Sequence, residues 1–226
     1  MNAKAKGYVL GAIAAATYGM NPLFALPLYK AGMNPDSVLF FRYLFAIPVL
    51  GIMIKARGRN FKLKPNEIVP LILMGLLVSF SSLALFQSYN YMEAGIASTL
   101  LFVYPILVAL IMAFVFKEKL TLQTIFCILL ALGANRPLLK NIATLKLTFY
   151  VLLFGMTLFL VRIDFGRSLH IVHDWYLWGN LIALAIFPTA ISFLCTTLAV
   201  QYIGSTPTAI LGALEPLTAV FFGVTV

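Results

Sequence analysis

Charge is the scarcest commodity in this 226-residue chain, with Asp, Glu, Lys and Arg together making up 10% of it. Soluble domains carry about 25% charged residues to cover their surface, so a soluble globule is excluded. Acid is scarcer still, at seven Asp and Glu against sixteen Lys and Arg. The two cysteines, Cys127 and Cys195, cannot make the disulfide framework of a small secreted module. The two histidines, His170 and His173, have no further ligands beside them and read as solvated loop residues, so no metal is expected. No H-E-x-x-H, G-x-S-x-G, phosphate-binding loop or paired-cysteine motif is present, which argues against an enzyme and against a bound cofactor. What the chain has in quantity is apolar surface: 62% hydrophobic residues and a mean hydropathy of +0.99. Disorder needs the opposite composition, and a β-barrel would show short alternating segments in place of solid runs. The fold class is an all-α polytopic membrane protein.

A helix needs about 20 mostly apolar residues to cross a bilayer core. Runs of this kind cover 7–29, 37–54, 68–91, 94–116, 142–161, 175–202 and 206–226, and breakers such as Met33-Asn34-Pro35 and Gly204-Ser205 separate them. A further segment, 120–134, is short and carries Thr121, Gln123 and Thr124, as a re-entrant or truncated span would. Lys4 and Lys6 before an apolar stretch resemble a signal peptide, but the run continues uncharged through Leu28, so an uncleaved first span is expected.

Basic residues sort by loop. Lys4 and Lys6 precede the first run, and Lys55, Arg57, Arg59, Lys62 and Lys64 lie between the second and third. The third and fourth runs have no basic residue between them, while Lys117 and Lys119 follow the fourth. This one-sided placement predicts a cytoplasmic N-terminus in the cell (inner) membrane. It also removes nucleic acid as a partner, because the charge of +9 is a topology signal directed at the lipid bilayer. The rule is obeyed best if 120–134 does not cross, which leaves Arg136, Lys140 and Lys146 on the N-terminal side and Arg162, Asp164, Arg167 and Asp174 opposite.

An internal repeat is present. A shift of 111 positions lays Tyr91-Met92-Glu93-Ala94-Gly95 on Tyr202-Ile203-Gly204-Ser205-Thr206, and Tyr104-Pro105 on Glu215-Pro216. A shift of 108 lays Leu39-Phe40-Phe41 on Leu147-Thr148-Phe149. In the preferred topology the matched spans run in opposite directions, as in transporters built from inverted repeats. The stretch from Tyr91 to Ser98 leading to Tyr104-Pro105 and Lys117-Glu118 is similar to the EamA-type transporters of the drug/metabolite transporter superfamily. So are Phe41-Arg42, the stretch from Tyr202 to Ala209, and Leu214-Glu215-Pro216-Leu217. The resemblance implies ten helices in an inverted-repeat bundle and movement of a small-molecule solute by alternating access. It leaves assembly as a homodimer open. About seven full spans of that ten-helix fold are found here. The resemblance implies that residues 1–134 are the first repeat, spans one to four plus a truncated fifth, and that 135–226 are an incomplete second, spans seven to nine. An internally deleted, non-transporting membrane protein or a helical partner in a membrane complex is the alternative.

Few polar residues lie deep in the runs. Glu215 is the sharpest, since a carboxylate inside a span is costly and faces a cavity or a partner; it is the candidate for proton coupling, against a purely structural role beside Pro216. Thr208, Gly212, Glu215 and Thr218 share one helix face. Tyr104 holds the repeat position of Glu215 and is expected to line the same cavity. Tyr18 and Asn21 in the first run, and Ser79, Ser82, Phe86 and Asn90 on one face of the third, complete the expected cavity, though such residues also serve as hydrogen-bonding glue between helices. Thr189, Ser192 and Thr196 offer the same in the run 175–202. Pro22, Pro105 and Pro216 are the expected kinks. Arg42, five residues into its run, is near enough to an interface to snorkel toward headgroups or to pair with Asp36 or an anionic solute. Trp175, Tyr176 and Trp178 read as an interfacial belt.

Overall fold

A computed structural model of the chain describes residues 2–101, 144–204, 207–208, 211–212 and 214–225. In chain order the helices are α1 (Ala3–Tyr18), α2 (Asn21–Lys30), α3 (Pro35–Ala56), α4 (Pro65–Ser88), α5 (Ala94–Leu101), α6 (Thr144–Arg162), α7 (Trp175–Ala185), a π-helical segment (Ile186–Ile191), α8 (Ser192–Ile203) and α9 (Leu214–Thr225). Helix is what lipid demands of these runs, because a spanning segment has no water to satisfy its backbone N–H and C=O groups. Five stretches are long and apolar enough to cross: Ala3–Lys30, Pro35–Ala56, Pro65–Ser88, Leu145–Arg162 and Trp175–Ile203. They coincide with five of the runs read from sequence. The run 94–116 is described only to Leu101, and the segment 120–134 and the boundary at 134/135 lie outside the described residues.

Local sequence sets the helix ends. Pro35 and Pro65 stand in the first turns of α3 and α4, where a missing N–H costs nothing. The Asn34 side chain accepts from Ser37 N at 2.8 Å, and Asp174 accepts from Tyr176 N at 3.1 Å at the start of α7. Glu67 reaches back to accept from Lys64 N at 3.0 Å.

Packing sorts the faces. α3 turns Val38, Arg42, Ala46 and Leu50 inward at i, i+4 spacing, all with 0% exposure. The opposite face of α4, with Val69, Leu73, Leu77 and Phe80, stays exposed, as a lipid-facing stripe would. α6 packs against both α3 and α4, and α1 runs along α8. The α4–α6 seam is close: a Cβ on Gly155 would stand 2.8 Å from Gly75 O. Small residues let transmembrane backbones approach in this way.

The two ends of the bundle differ. At one end Lys6 lies over the Tyr202 ring, 5.3 Å from its centroid. At the end of α3, Lys146 Nζ donates to Lys62 O and Tyr150 hydroxyl donates to Phe61 O at 2.6 Å, so Lys146 shares an end with the basic loop 55–64. At the other end Arg162 forms an ion pair with Asp36 at 2.5 Å. His170 N donates to Ser37 Oγ at 2.9 Å, and the His170 ring meets Gly32 O at 3.2 Å. His170 is therefore tied to the α2–α3 turn, not simply solvated. Trp178 also departs from the expected belt. Its Nε1 donates to Val172 O at 3.1 Å and its ring packs edge-on against Phe41, while Trp175 and Tyr176 remain exposed.

Candidate solute site

Two spans are interrupted near their middles. The first breaks at Gly19–Met20, between α1 and α2, with Pro22 in the first turn of the new helix. The break lets α9 come close, since a Cβ on Gly19 would meet Glu215 O at 2.6 Å. The second interruption is the π-helical segment around Pro188. Proline has no N–H to give the carbonyl four residues back, and that carbonyl, Leu184 O, accepts instead from Thr189 Oγ1 at 2.9 Å. Thr189 is equidistant from the two ends of the Trp175–Ile203 span. π-helical turns of this kind are frequent at functional sites.

Arg42 joins the two breaks. Its Nε donates to Thr189 Oγ1, and its Nη2 donates to Pro188 O at 3.2 Å. The guanidinium carbon lies 5.9 Å from the Tyr18 ring centre and 5.2 Å from that of Phe86, within the range of cation–π attraction. Arg42 does not snorkel and does not pair with Asp36, which is taken by Arg162. The reason is its register: position 42 belongs to the inward ladder of α3, so its stem points into the bundle.

Tyr18 is within electrostatic reach of both Arg42 and Glu215. Glu215 is half-buried in the first turn of α9, and Thr218 Oγ1 donates to its carbonyl at 2.9 Å. Asn21 is 1% exposed, and among the described residues neither its amide nitrogen nor its amide oxygen has a hydrogen-bond partner. Phe24, one turn further along α2, stacks on Phe187 at 6.0 Å, which turns this face of α2 toward the π-helical segment. Ser192 Oγ donates to Ala14 O at 2.9 Å and fastens α1 beside it. Tyr18, Asn21, Arg42, Thr189 and Glu215 thus gather about the two breaks.

The remaining expected residues divide. Ser79 and Ser82 are buried, but on the seam of α4 with α3 and α6: the Ser82 and Tyr43 hydroxyls are 3.4 Å apart, and Ser79 Oγ lies against Gly155. Asn90 does not join them. α4 ends at Ser88, and Asn90 falls in the exposed turn beyond it, where helical spacing no longer applies. Thr208 is buried, and its hydroxyl donates to Gly204 O at 2.8 Å in its own turn. Pro216 stands in the first turn of α9, where proline is tolerated, so it starts a helix instead of kinking one. Tyr104 and Pro105 lie outside the described residues. No group of three His, Cys, Asp or Glu able to hold a metal occurs among the described residues.

A chain with several spans, two of them interrupted around a buried cation, invites comparison with membrane carriers. A sequence model of the EamA-like transporter family matches it over residues 5–135 and again over 134–226. The chain belongs to the EamA-like transporter family. It is a multi-pass helical membrane protein of a transporter family. A comparison with curated proteins gives no match. The matched regions place α1 to α5 in the first copy of the EamA-like pattern and α6 to α9 in the second, so Arg42 of the first copy holds Thr189 of the second.

Proposed function

We propose that the protein carries a small solute across the cell membrane by alternating access, with its N-terminus in the cytoplasm and the solute held where Arg42 meets Tyr18, Asn21, Thr189 and Glu215. The observation that carries this reading is the buried polar cluster at the breaks of two spans. An ionised side chain inside a span is costly and marks a pathway or a binding site. Interrupted helices supply the backbone polar groups that a midplane site uses. The contacts Asp36–Arg162 and Ser37–His170 join α3 to α6 and to the loop that follows it at the α3 N-terminal end, and in this reading they are contacts that break when that side opens. Rocking of one copy against the other would open it.

Glu215, close to Tyr18, is the residue proposed to exchange a proton during the cycle. Tyr104, its counterpart in the repeat, and Thr208 are proposed to complete the lining. The test is reconstitution of the full chain into liposomes loaded with a defined mixture of small metabolites, with external solutes measured by mass spectrometry. Protein-dependent loss of at least one solute is expected. Retention of every solute under imposed pH and concentration gradients would refute transport.

A further inference from the structure

A buried cation stands where the two interrupted spans come together. Arg42 is 0% exposed, yet among the described residues it forms no ion pair. A guanidinium carries five N–H donors and is never neutral in a protein. Nε–H is spent on Thr189 and one Nη2–H on Pro188 O, while Nη1 meets the geometry of a hydrogen bond with no group among the described residues. Both hydrogens of Nη1 and the second hydrogen of Nη2 are left, and these form the end-on fork that takes two oxygens of an oxyanion side by side. The aromatic rings of Tyr18 and Phe86 can lessen the cost of the charge, but they cannot neutralise it.

Asn21 supplies the second, independent observation. Among the described residues both polar atoms of its buried amide are unpaired, and a buried amide without a partner is costly. Such groups in a native structure call for an explanation. Both orphans arise at the helix breaks: Asn21 opens α2, and Arg42 is held by the carbonyl and hydroxyl of the Pro188–Thr189 turn. The Phe24–Phe187 stack brings the Asn21 face of α2 to that same turn.

We propose that the Arg42 fork and the Asn21 amide form an oxyanion-binding site, which makes the transported solute a small carboxylate or phosphate anion. This rests on the transporter reading above and narrows it to a substrate class. Arg42 supplies the charge and the planar fork. Asn21 Nδ2 adds a neutral donor, and its Oδ1 can accept from a hydroxyl or amine on the solute. Tyr18 and Phe86 then flank the bound group with apolar surface. Entry of an anion gives the Arg42 fork the ion pair it lacks among the described residues, so the loaded site is the stabilised one.

The test is ligand-dependent thermal stability of the full chain in detergent, with benzoate and inorganic phosphate as oxyanion probes, and benzamide and benzylammonium as the neutral and cationic counterparts of benzoate. Wild type is expected to melt higher, in a saturable manner, with benzoate or phosphate and not with the other two; which of the two protects identifies a carboxylate or a phosphate site. Asn21→Leu removes only unpaired polar atoms, so without ligand it is expected to be as stable as wild type or more so, with a weakened response to the oxyanion. Arg42→Lys keeps the charge but loses the fork, and its apparent Kd is expected to rise at least about thirtyfold. Protection by benzamide or benzylammonium equal to that by benzoate would overturn the proposal. So would unchanged oxyanion protection in Asn21→Leu. Because binding is read without transport, protection in a protein that moves no solute would sink the transporter reading alone. Transport restricted to neutral or cationic solutes would sink the oxyanion site alone.

Discussion

Thr189 is the point where the π-helical break in one span and the buried Arg42 of α3 depend on one atom. Its hydroxyl accepts from Arg42 Nε and donates to Leu184 O at 2.9 Å, the carbonyl that Pro188 leaves without a donor. Thr189→Val keeps the shape and removes both bonds at once. Hydrogen bonds between transmembrane helices average only about 0.6 kcal/mol. Here, however, one partner is a fully buried charge, whose hydrogen bonds are worth about 1.5–3 kcal/mol, and the stranded carbonyl adds about 1 kcal/mol. The expected loss is therefore ~2–4 kcal/mol, read as the free energy of reversible unfolding in mixed micelles titrated with SDS. Thr189→Ser restores the hydroxyl and is expected to lose less than ~1 kcal/mol. If Thr189→Val unfolds at the wild-type SDS fraction, Arg42 is not held by the π-helical turn and the architecture of the site described here is wrong.

Other consequences are checked more briefly. At the α4–α6 seam, Gly155→Ala places a methyl 2.8 Å from Gly75 O and is expected to cost ~1–3 kcal/mol by overpacking, whereas Gly179→Ala, with nothing within 4 Å, should leave unfolding in the same micelles unchanged or slightly improved. The Asp36–Arg162 pair is partly exposed, so Asp36→Asn should change stability by less than ~1 kcal/mol, while loosening closure and raising the labelling rate of a cysteine placed at Ser37. If Glu215 exchanges the coupling proton, Glu215→Gln abolishes the dependence of uptake on an imposed pH gradient; a variant whose uptake still follows that gradient removes the proton role. Single cysteines at Lys62 and at His173 should be labelled from opposite sides of the membrane, Lys62 from the cytoplasmic side; labelling from one side by an impermeant reagent would overturn the topology.

Run length and breakers made the helices legible in the sequence, because spanning lipid leaves the backbone no alternative to helix. The basic residues likewise put Lys146 on the same side as the loop 55–64, and Lys146 Nζ donates to Lys62 O. Side-chain roles were harder to read. Arg42 lies early in its run, which suggested an interface; its register with Val38, Ala46 and Leu50 was the better signal, since a cation in an inward apolar ladder has nowhere to snorkel. Pro188, in the middle of a 29-residue span, marked the second break as plainly as Pro22 marked the first. Asn90 shows the opposite error, a periodic pattern extended two residues past the end of its helix at Ser88. The pairing of Arg42 with Thr189, far apart in sequence, follows from how the two copies of the family pattern pack, and no local motif encodes it.

The most direct test of the Arg42 site as the place where solute is carried is uptake by proteoliposomes containing the wild-type chain or Asn21→Leu, reconstituted side by side at equal protein content. Wild type is expected to move at least one small anion from a defined mixture, and Asn21→Leu to move it at least about tenfold more slowly despite equal or greater stability, as the loss of one hydrogen bond to a charged group implies. Equal uptake by both proteins would place the solute elsewhere and contradict the site.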